Sequence, residues 1–465
     1  MIRLPSLDRT DPVEVAEAFR DRPGLALLES ARPGRTGRWS YVTADPVETL
    51  DTAAVGADPF SDARAQLTRL DRRLAAPAAA AAHPPFSGGL VGYVGYDVGR
   101  CFERLPSLAA ADQDLPQLRL ALHDWTLAWD HRLSEAWLAG RAVDGDGAKL
   151  EQRLRTIIDT LANGGGSSLP RSSEAEHGDP ALEMRSRTSH AEWLRQVASI
   201  RELIAGGAIY QANLARRLEA PFTGDPWPLF RRLRVGDPAL FAGYLDLGPD
   251  PSTQAPRAIL SASPEPFLTV DGEGMVTADP IKGTRPRGDT PELDRSLLRE
   301  LLASAKDQAE NVMIVDVLRN DLGRVCEPGS VRVPRLLRPE RTASVQHLVT
   351  TVAGRLRPDT DALDLLAASF PGGSITGAPK IRAMEVIESL EPVRRGPYCG
   401  TMLWLGPERR MGSSILIRTL VADGERLTFH VGGGITWRSD PEVEWQETMA
   451  KAQGPLQAIG ATEIS

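Results

Sequence analysis

The sequence predicts an α+β protein built on large antiparallel β-sheets, and three features of the 465-residue chain lead there. Short runs alternating apolar and polar residues recur between Gly and Pro punctuation, as half-buried strands do. Those runs do not alternate regularly with helical patterns, which disfavours a doubly wound parallel sheet. A hydrophobic fraction of 42% with 25% charged residues is that of a globular chain with ample material for a core.

In chain order, SGGLVGYVGYDVGRCF and LRLALHDWTLAWDHRLSEAWLAG read as antiparallel strands. Residues 75–85 (AAPAAAAAHPP) and 162–180 (ANGGGSSLPRSSEAEHGDP) read as linkers or exposed loops. The second is the better boundary, so an N-terminal region over 1–175 and a second unit over 183–465 are expected. That unit opens on a helix. Ser189 and Glu192 have capping-box spacing, Trp193, Val197, Ile200 and Ile204 share a face, and Gly206-Gly207 end it. AILSASPEPFLTV, GMVTADPIKG, GTMLWLG, SSILIRTLVAD and RLTFHVGGGITW also read as strands, and residues 294–320, 380–390 and 441–458 as helices.

A net charge of −8 excludes a nucleic-acid binder, which needs a basic footprint to displace counterions from phosphate. No apolar run approaches the roughly 20 residues of a membrane span. The start MIRLPSLDRTDPVEV has neither a basic leader nor an apolar signal core, so a cytoplasmic protein is expected. Cys101, Cys326 and Cys399 are too few and too widely spaced for a disulfide framework or a zinc site, and are expected to be reduced, partly buried thiols. Only five of the 54 basic residues are lysines: Lys149, Lys282, Lys306, Lys380 and Lys451. A lysine kept where arginine is the rule enriches for places that need a deprotonatable amine.

Two helical segments each carry carboxylates three apart, which share a face: Asp307 with Glu310, and Glu444 with Glu447. Asp440 as N-cap and Pro441 at the first helical position fix the phase of the second, placing Lys451 one turn beyond Glu447. Each pair alone is most simply a solvated helix face. Together they offer oxygen-only ligands that suit Mg²⁺, which keeps waters and takes one or two carboxylates plus substrate oxygens. FPGGSITGAPK is not a phosphate loop, because Ala378 and Pro379 separate Gly377 from Lys380. Gly432, Gly433 and Gly434, directly after a strand, offer either a bend or an anion-binding nest of bare N–H groups. Arg418, late in the apolar run SSILIRTL, needs an anionic partner, whether a ligand or a structural carboxylate. Lys282 in DPIKGTRPRG is either a surface turn residue or an amine placed to attack carbon.

The strings AIYQANLARR, SASPEPF, PIKGTRPRG, AKDQAENVMIVDVLRNDLGRV, VQHL, FPGGSITGAPKIRAMEVI, RGPYCG, IRTL, GGGI and EWQETMAKA, in this order over residues 190–455, resemble the chorismate-utilizing enzyme family. ALLESARPGRTGRWSYVTADP and GGLVGYVGYDVGRCFERLP resemble the N-terminal part of its two aminating members. The resemblance implies large antiparallel sheets packed as a sandwich with helices outside, as in the anthranilate synthase component I fold.

It also implies roles. Glu310 and Glu447 look like Mg²⁺ ligands, with Asp307 and Glu444 holding metal-bound waters. Arg418, Tyr398 and the amides of Gly432, Gly433 and Gly434 look like holders of the substrate's carboxylates and enolpyruvyl group, helped by Ser374, Thr284 and Lys451. Glu265 looks like the acid that protonates the departing carbon 4 hydroxyl of chorismate, and His347 like the histidine beside it. Gln211 stands where the water-adding members have a lysine base, so water addition is disfavoured. Lys282 stands where anthranilate synthases have a small residue and aminodeoxychorismate synthases a lysine that adds at ring carbon 2 before ammonia adds at carbon 4. No segment resembles an amidotransferase, so ammonia is expected from a separate glutamine amidotransferase subunit. Leu28, Glu29 and Ser30, within LLES at residues 27–30, resemble part of a tryptophan pocket. Where many relatives have Gly-Tyr after RGPYCG, this chain has Leu403-Trp404, a change in that pocket wall. The rival readings are anthranilate synthase component I and a non-catalytic, tryptophan-binding regulatory relative.

Overall fold

The computed structural model describes residues 1–30, 37–52, 58–70, 83–164, 182–341 and 345–464. Most of the two expected linkers, 75–82 and 165–180, lies outside the described residues. The described strands form one sheet of thirteen and one of ten. All their pairings are antiparallel except that of Ala461–Ile464 with Leu182–Ser186, which is parallel.

Both sheets are built across the sequence boundary. In the larger, Ala26–Glu29 pairs with Phe241–Pro249, Leu27 opposite Tyr244. In the smaller, Gly89–Val94 pairs with Thr401–Leu405, Leu90 opposite Leu405. The stretch around residue 175 therefore divides the sequence without dividing either sheet.

The sheets pack face to face. Ala26, Tyr41, Leu245 and Ile259 of the larger meet Val91, Tyr93 and Met402 of the smaller in one buried cluster. Gly243 makes this approach feasible, because a Cβ there would overlap the Met402 sulfur. The outer face of the larger sheet is covered by helices that include Pro226–Gly236, Pro441–Ile459 and Lys380–Leu390, the last through Ala383 and Val386 against Ala212 and Leu214, that of the smaller by Ala305–Gly323 and Ala362–Ser369. The architecture is a sandwich with helices outside. Among the described residues no helix is long and apolar enough to cross a membrane.

Four of the expected elements are broken, the simplest being GMVTADPIKG, which Asp279-Pro280 divides into Met275–Ala278 and Ile281–Pro286. AILSASPEPFLTV forms Pro256–Ser263 in the larger sheet and Pro266–Val270 in the smaller. SSILIRTLVAD is divided likewise between Met411–Ile415 and Thr419–Asp423. Strands that pass from one sheet to the other must bend at a corner, and these two corners lie side by side. Ile415 N–H donates to the Glu265 carbonyl at 3.1 Å and Ala262 N–H to that of Arg418 at 3.0 Å. The helix expected over 294–320 is two, Pro291–Ala303 and Ala305–Gly323, because Ser304 leaves helical geometry and caps the second, its hydroxyl accepting from Asp307 N–H at 3.3 Å.

The phase of Pro441–Ile459 is as the capping residues required. The Asp440 carboxylate accepts from Glu442 N–H at 3.0 Å and Val443 N–H at 3.1 Å, and Gly460 ends the helix with φ 73°. Among the described residues none of the three cysteines forms a disulfide, and Cys326 and Cys399 are buried; burial pushes the Cys326 thiol up to about 11 and that of Cys399 to about 12.

Candidate active site

A cavity of about 780 Å³ lies where the two sheet corners meet the helices Ala305–Gly323 and Pro441–Ile459. Lys282, Glu265, His347, Thr284, Ser374, Tyr398, Arg418, Gly432, Gly434, Lys451, Glu310, Glu447 and Asp307 all line it. The other three expected residues form its backing. A Cβ on Gly433 would lie 3.5 Å from Glu444 Oε2, and one on Gly434 would overlap the Gln211 amide.

Lys282 is aimed by a bulge. Its strand, Ile281–Pro286, pairs with Val345–Arg355, and the register slips between Lys282 and Thr284. An extra residue re-aims its neighbours, and Gly283 supplies it with φ 80°. No side chain fits at Gly283, because a Cβ would come within 2.9 Å of Asp307 Cβ and Leu301 Cδ1. The Lys282 ammonium donates to the Ser374 carbonyl at 3.1 Å. Its charge acts on the carboxyls of Glu265, Glu310 and Glu447, so it stands among the acids of three separate elements.

Glu265, in the first corner, is 8% exposed. Burial raises its pKa, against the Lys282 charge, a hydrogen bond from the Ser374 hydroxyl and one from Ile281 N–H. The residue is thus biased toward the protonated form that can donate to a leaving oxygen. His347 has its Nδ1 3.0 Å from the Thr284 hydroxyl. Burial and the Arg418 charge push it down to about 4, so near neutrality it is an uncharged imidazole and acts by hydrogen bonding. Tyr398 stacks on His430 at 4.8 Å between centroids and 8° between planes.

Two expectations are revised. Arg418 is not within a strand: it sits in the second corner with φ 49°, half-exposed, and donates from Nη1 to the Asp237 carboxylate at 3.1 and 3.4 Å. Gly432, Gly433 and Gly434 do not form a nest after a strand. They lie within Arg426–Ile435, opposite Ala215, Leu214 and Asn213, and so form a ladder wall without side chains. That bareness lets the second acidic helix lie close, with Lys451 Nζ donating to the Gly432 carbonyl at 2.9 Å and pairing with Glu447 at 2.7 Å.

The acidic residues can accept an ion. Glu310 Oε1 is buried and accepts no hydrogen bond, with Lys306 Nζ 3.9 Å away. Burial raises Glu310, the Lys282 and Lys306 charges oppose this, and Asp307 and Glu444 add to it. Glu444 on the other helix is also raised, by burial first and then by Glu447. Burial alone would raise Glu447, but Lys451, joined by the Lys306 and Lys282 charges, outweighs it and leaves the carboxyl lowered. Carboxylates of two helices thus repel across the gap, and a divalent cation would relieve that. Among the described residues no three carboxylate, imidazole or thiol groups form a closed cage, so an ion here would complete its shell with water and ligand oxygens, as Mg²⁺ does.

Arg395 fixes the turn carrying Ser374. Fully buried, it donates to Glu391 at 2.9 and 2.6 Å, to the Ile375 carbonyl at 2.9 Å and to that of Asn213 at 2.6 Å. Arg395→Met strands a buried carboxylate, and denaturant unfolding should show a loss of about 3–5 kcal/mol.

A second cavity, about 330 Å³, lies between the sheets, lined by Leu28, Glu29, Ser30, Trp39, Tyr41 and others. Leu403 and Trp404 line this cavity and not the acid-lined one, so the departure at these positions bears on a different pocket. Trp404 packs against Tyr41 and Phe86 with centroids at 5.9 and 5.5 Å.

A profile of the chorismate binding enzyme family matches residues 26–457. The chain belongs to that family. Among chorismate-binding relatives, it is 41% identical to aminodeoxychorismate synthase component 1 of Klebsiella aerogenes over 89% of this chain and 85% of that one. It is 38% identical to anthranilate synthase component 1 of Streptomyces coelicolor, over 96% and 85%. The crystal structure of anthranilate synthase component I from Streptococcus pneumoniae TIGR4 superposes with a TM-score of 0.76 at 28% identity, covering 91% of this chain and 93% of that one. The cavity lining of this chorismate-binding family member also includes Asp237 and His430, which the sequence does not single out. Asp237 reads in sequence as an ordinary Asp-Pro turn. His430 had a faint signal, being one of seven histidines and set in an otherwise apolar strand.

Proposed function

We propose that this chain is component I of an aminodeoxychorismate synthase, which replaces the carbon 4 hydroxyl of chorismate with an amino group on the way to 4-aminobenzoate and folate. The observation that carries this is Lys282, held by the Ser374 carbonyl between the Glu265 carboxyl and the two acidic helices.

Glu310 and Glu447, with Asp307 and Glu444 behind bound waters, would hold Mg²⁺, whose charge offsets that of the ring carboxylate. Arg418 takes a carboxylate, and Tyr398, Ser374, Thr284, Lys451 and the amides of the glycine wall hold the rest of the substrate. The free amine of Lys282 forms a bond to ring carbon 2, the two ring double bonds shift from C1–C2 to C1–C6 and from C5–C6 to C4–C5, and the carbon 4 hydroxyl leaves as water with a proton from Glu265. The neutral His347 imidazole steadies that hydroxyl. Ammonia, supplied by a separate glutamine amidotransferase subunit, then adds at carbon 4, both double bonds return, the Lys282 amine is expelled, and the ammonium formed at carbon 4 gives a proton back to Glu265. The enolpyruvyl ether is kept. Gln211, an amide, supplies no base for adding water.

The test is mass spectrometry of the products from chorismate, ammonium and Mg²⁺. We expect 4-amino-4-deoxychorismate without pyruvate, loss of product on chelation of Mg²⁺, and no glutamine turnover by the isolated chain. Pyruvate with a fluorescent aromatic amine would overturn the proposal in favour of anthranilate synthesis, and no chorismate consumption would favour a regulatory relative. The aromatic-lined second cavity supports binding of tryptophan at Leu28, Glu29 and Ser30, and calorimetry with tryptophan tests it.

A further inference from the structure

The reading of Arg418 as a carboxylate holder leaves its partner unexplained. Asp237 lines the same cavity, and both its oxygens lie on one guanidinium nitrogen, at 3.1 and 3.4 Å. Among the described residues each is the other's sole ion-pair partner. Asp237 terminates the helix Pro226–Gly236, its N–H donating to the Leu233 carbonyl. A carboxylate at that end faces the negative pole of the helix dipole, so the guanidinium is its main source of stabilisation. Arg418 projects from a sheet corner with 42% of its side chain exposed, so it is reachable by a ligand.

We propose that Asp237 is an internal competitor for Arg418, a charge lock that weakens the cavity's hold on the carboxylate of substrate and product. A carboxylate that takes Arg418 from Asp237 leaves the latter beside a helix C-terminus without a counter-charge. One that shares the guanidinium is brought next to a like charge. In either case Asp237 opposes anion binding, and only a ligand with other strong contacts, such as a dianion, opens the lock readily. Release of the equally anionic product is favoured for the same reason.

This rests on the proposed function through the role of Arg418, and the experiment separates the two. Chorismate affinity by calorimetry and KM by steady-state assay are measured for Asp237→Asn, Asp237→Ser, Arg418→Gln and the Asp237→Asn/Arg418→Gln double variant. Asn keeps an oxygen for Arg418 while removing the charge, and Kd and KM should each fall about fivefold. Ser should also tighten binding, and the Asn change should alter affinity less than twofold in the Arg418→Gln background. Weaker or unchanged binding in both Asp237 variants would overturn the lock and make Asp237 an orienting partner or a bystander. An equal gain with and without Arg418 would reduce it to a general field effect and also overturn it. If Arg418→Gln leaves chorismate affinity intact, the role of Arg418 fails along with the lock, whatever the product assay shows.

Discussion

Replacing Lys282 with Ala is expected to lower chorismate turnover by at least about 10³-fold while changing chorismate affinity by less than about threefold, the pattern of a lost covalent step. The asymmetry follows from the surroundings. Arg418, Lys451, the glycine wall and the acidic helices are built on other elements, and the Lys282 side chain's hydrogen bond goes to the Ser374 carbonyl and to none of them. What the substitution removes is the only amine in the bulge that faces Glu265. Rapid-quench assay of aminodeoxychorismate and calorimetric titration with chorismate measure the two quantities. An equal loss in both would make Lys282 an electrostatic holder. Lys282→Arg distinguishes further, because a guanidinium keeps the charge but cannot attack carbon, and it should be as inactive as Ala.

Glu265→Gln should cost about 10²–10⁴-fold in turnover, the usual range for loss of a general acid, and should also change the pH profile. The donor must carry its proton, and burial in the sheet corner raises its pKa above the ordinary carboxylate value. Turnover that depends on it is complete at low pH and falls as pH rises through that raised value. The Gln variant, with nothing to lose, should lack this limb. Linkage gives stability a matching sign. Below the unfolded-state pKa the group costs nothing, and the cost of ionising it in the folded chain grows as pH rises through the window up to the folded value. Urea midpoints of the wild type and the Gln variant across that window should diverge, and parallel curves would show that Glu265 is not held protonated by the fold.

Legibility in the sequence differed by kind of feature. The helix Pro441–Ile459 could be phased from Asp440 and Pro441, and that alone put Glu444, Glu447 and Lys451 on related faces. Lys282 can be singled out by composition and by its family string, but the bulge that aims it depends on pairing with Val345–Arg355 and has no local signature. Arg418 was recognised as needing an anion, but the corner that exposes it and the carboxylate that holds it were not. Asp237 lies 181 residues away in sequence, and no local pattern links the two. The glycine triplet invited a nest because bare amides in a row fit one. Only the pairing with residues 213–215 makes it a flat wall.

What the sequence determined by itself is whatever depends on neighbours three or four residues away: helix starts, shared faces, turn residues and the supply of acids, amines and glycines. What the tertiary structure decided is which of these meet. Strand partners, the two sheet corners, the crossing of residue 175 by both sheets and the assignment of Trp404 to a second cavity depend on contacts hundreds of residues apart. Their energy comes from burying apolar faces against each other, which is non-directional and leaves no short-range mark in the chain.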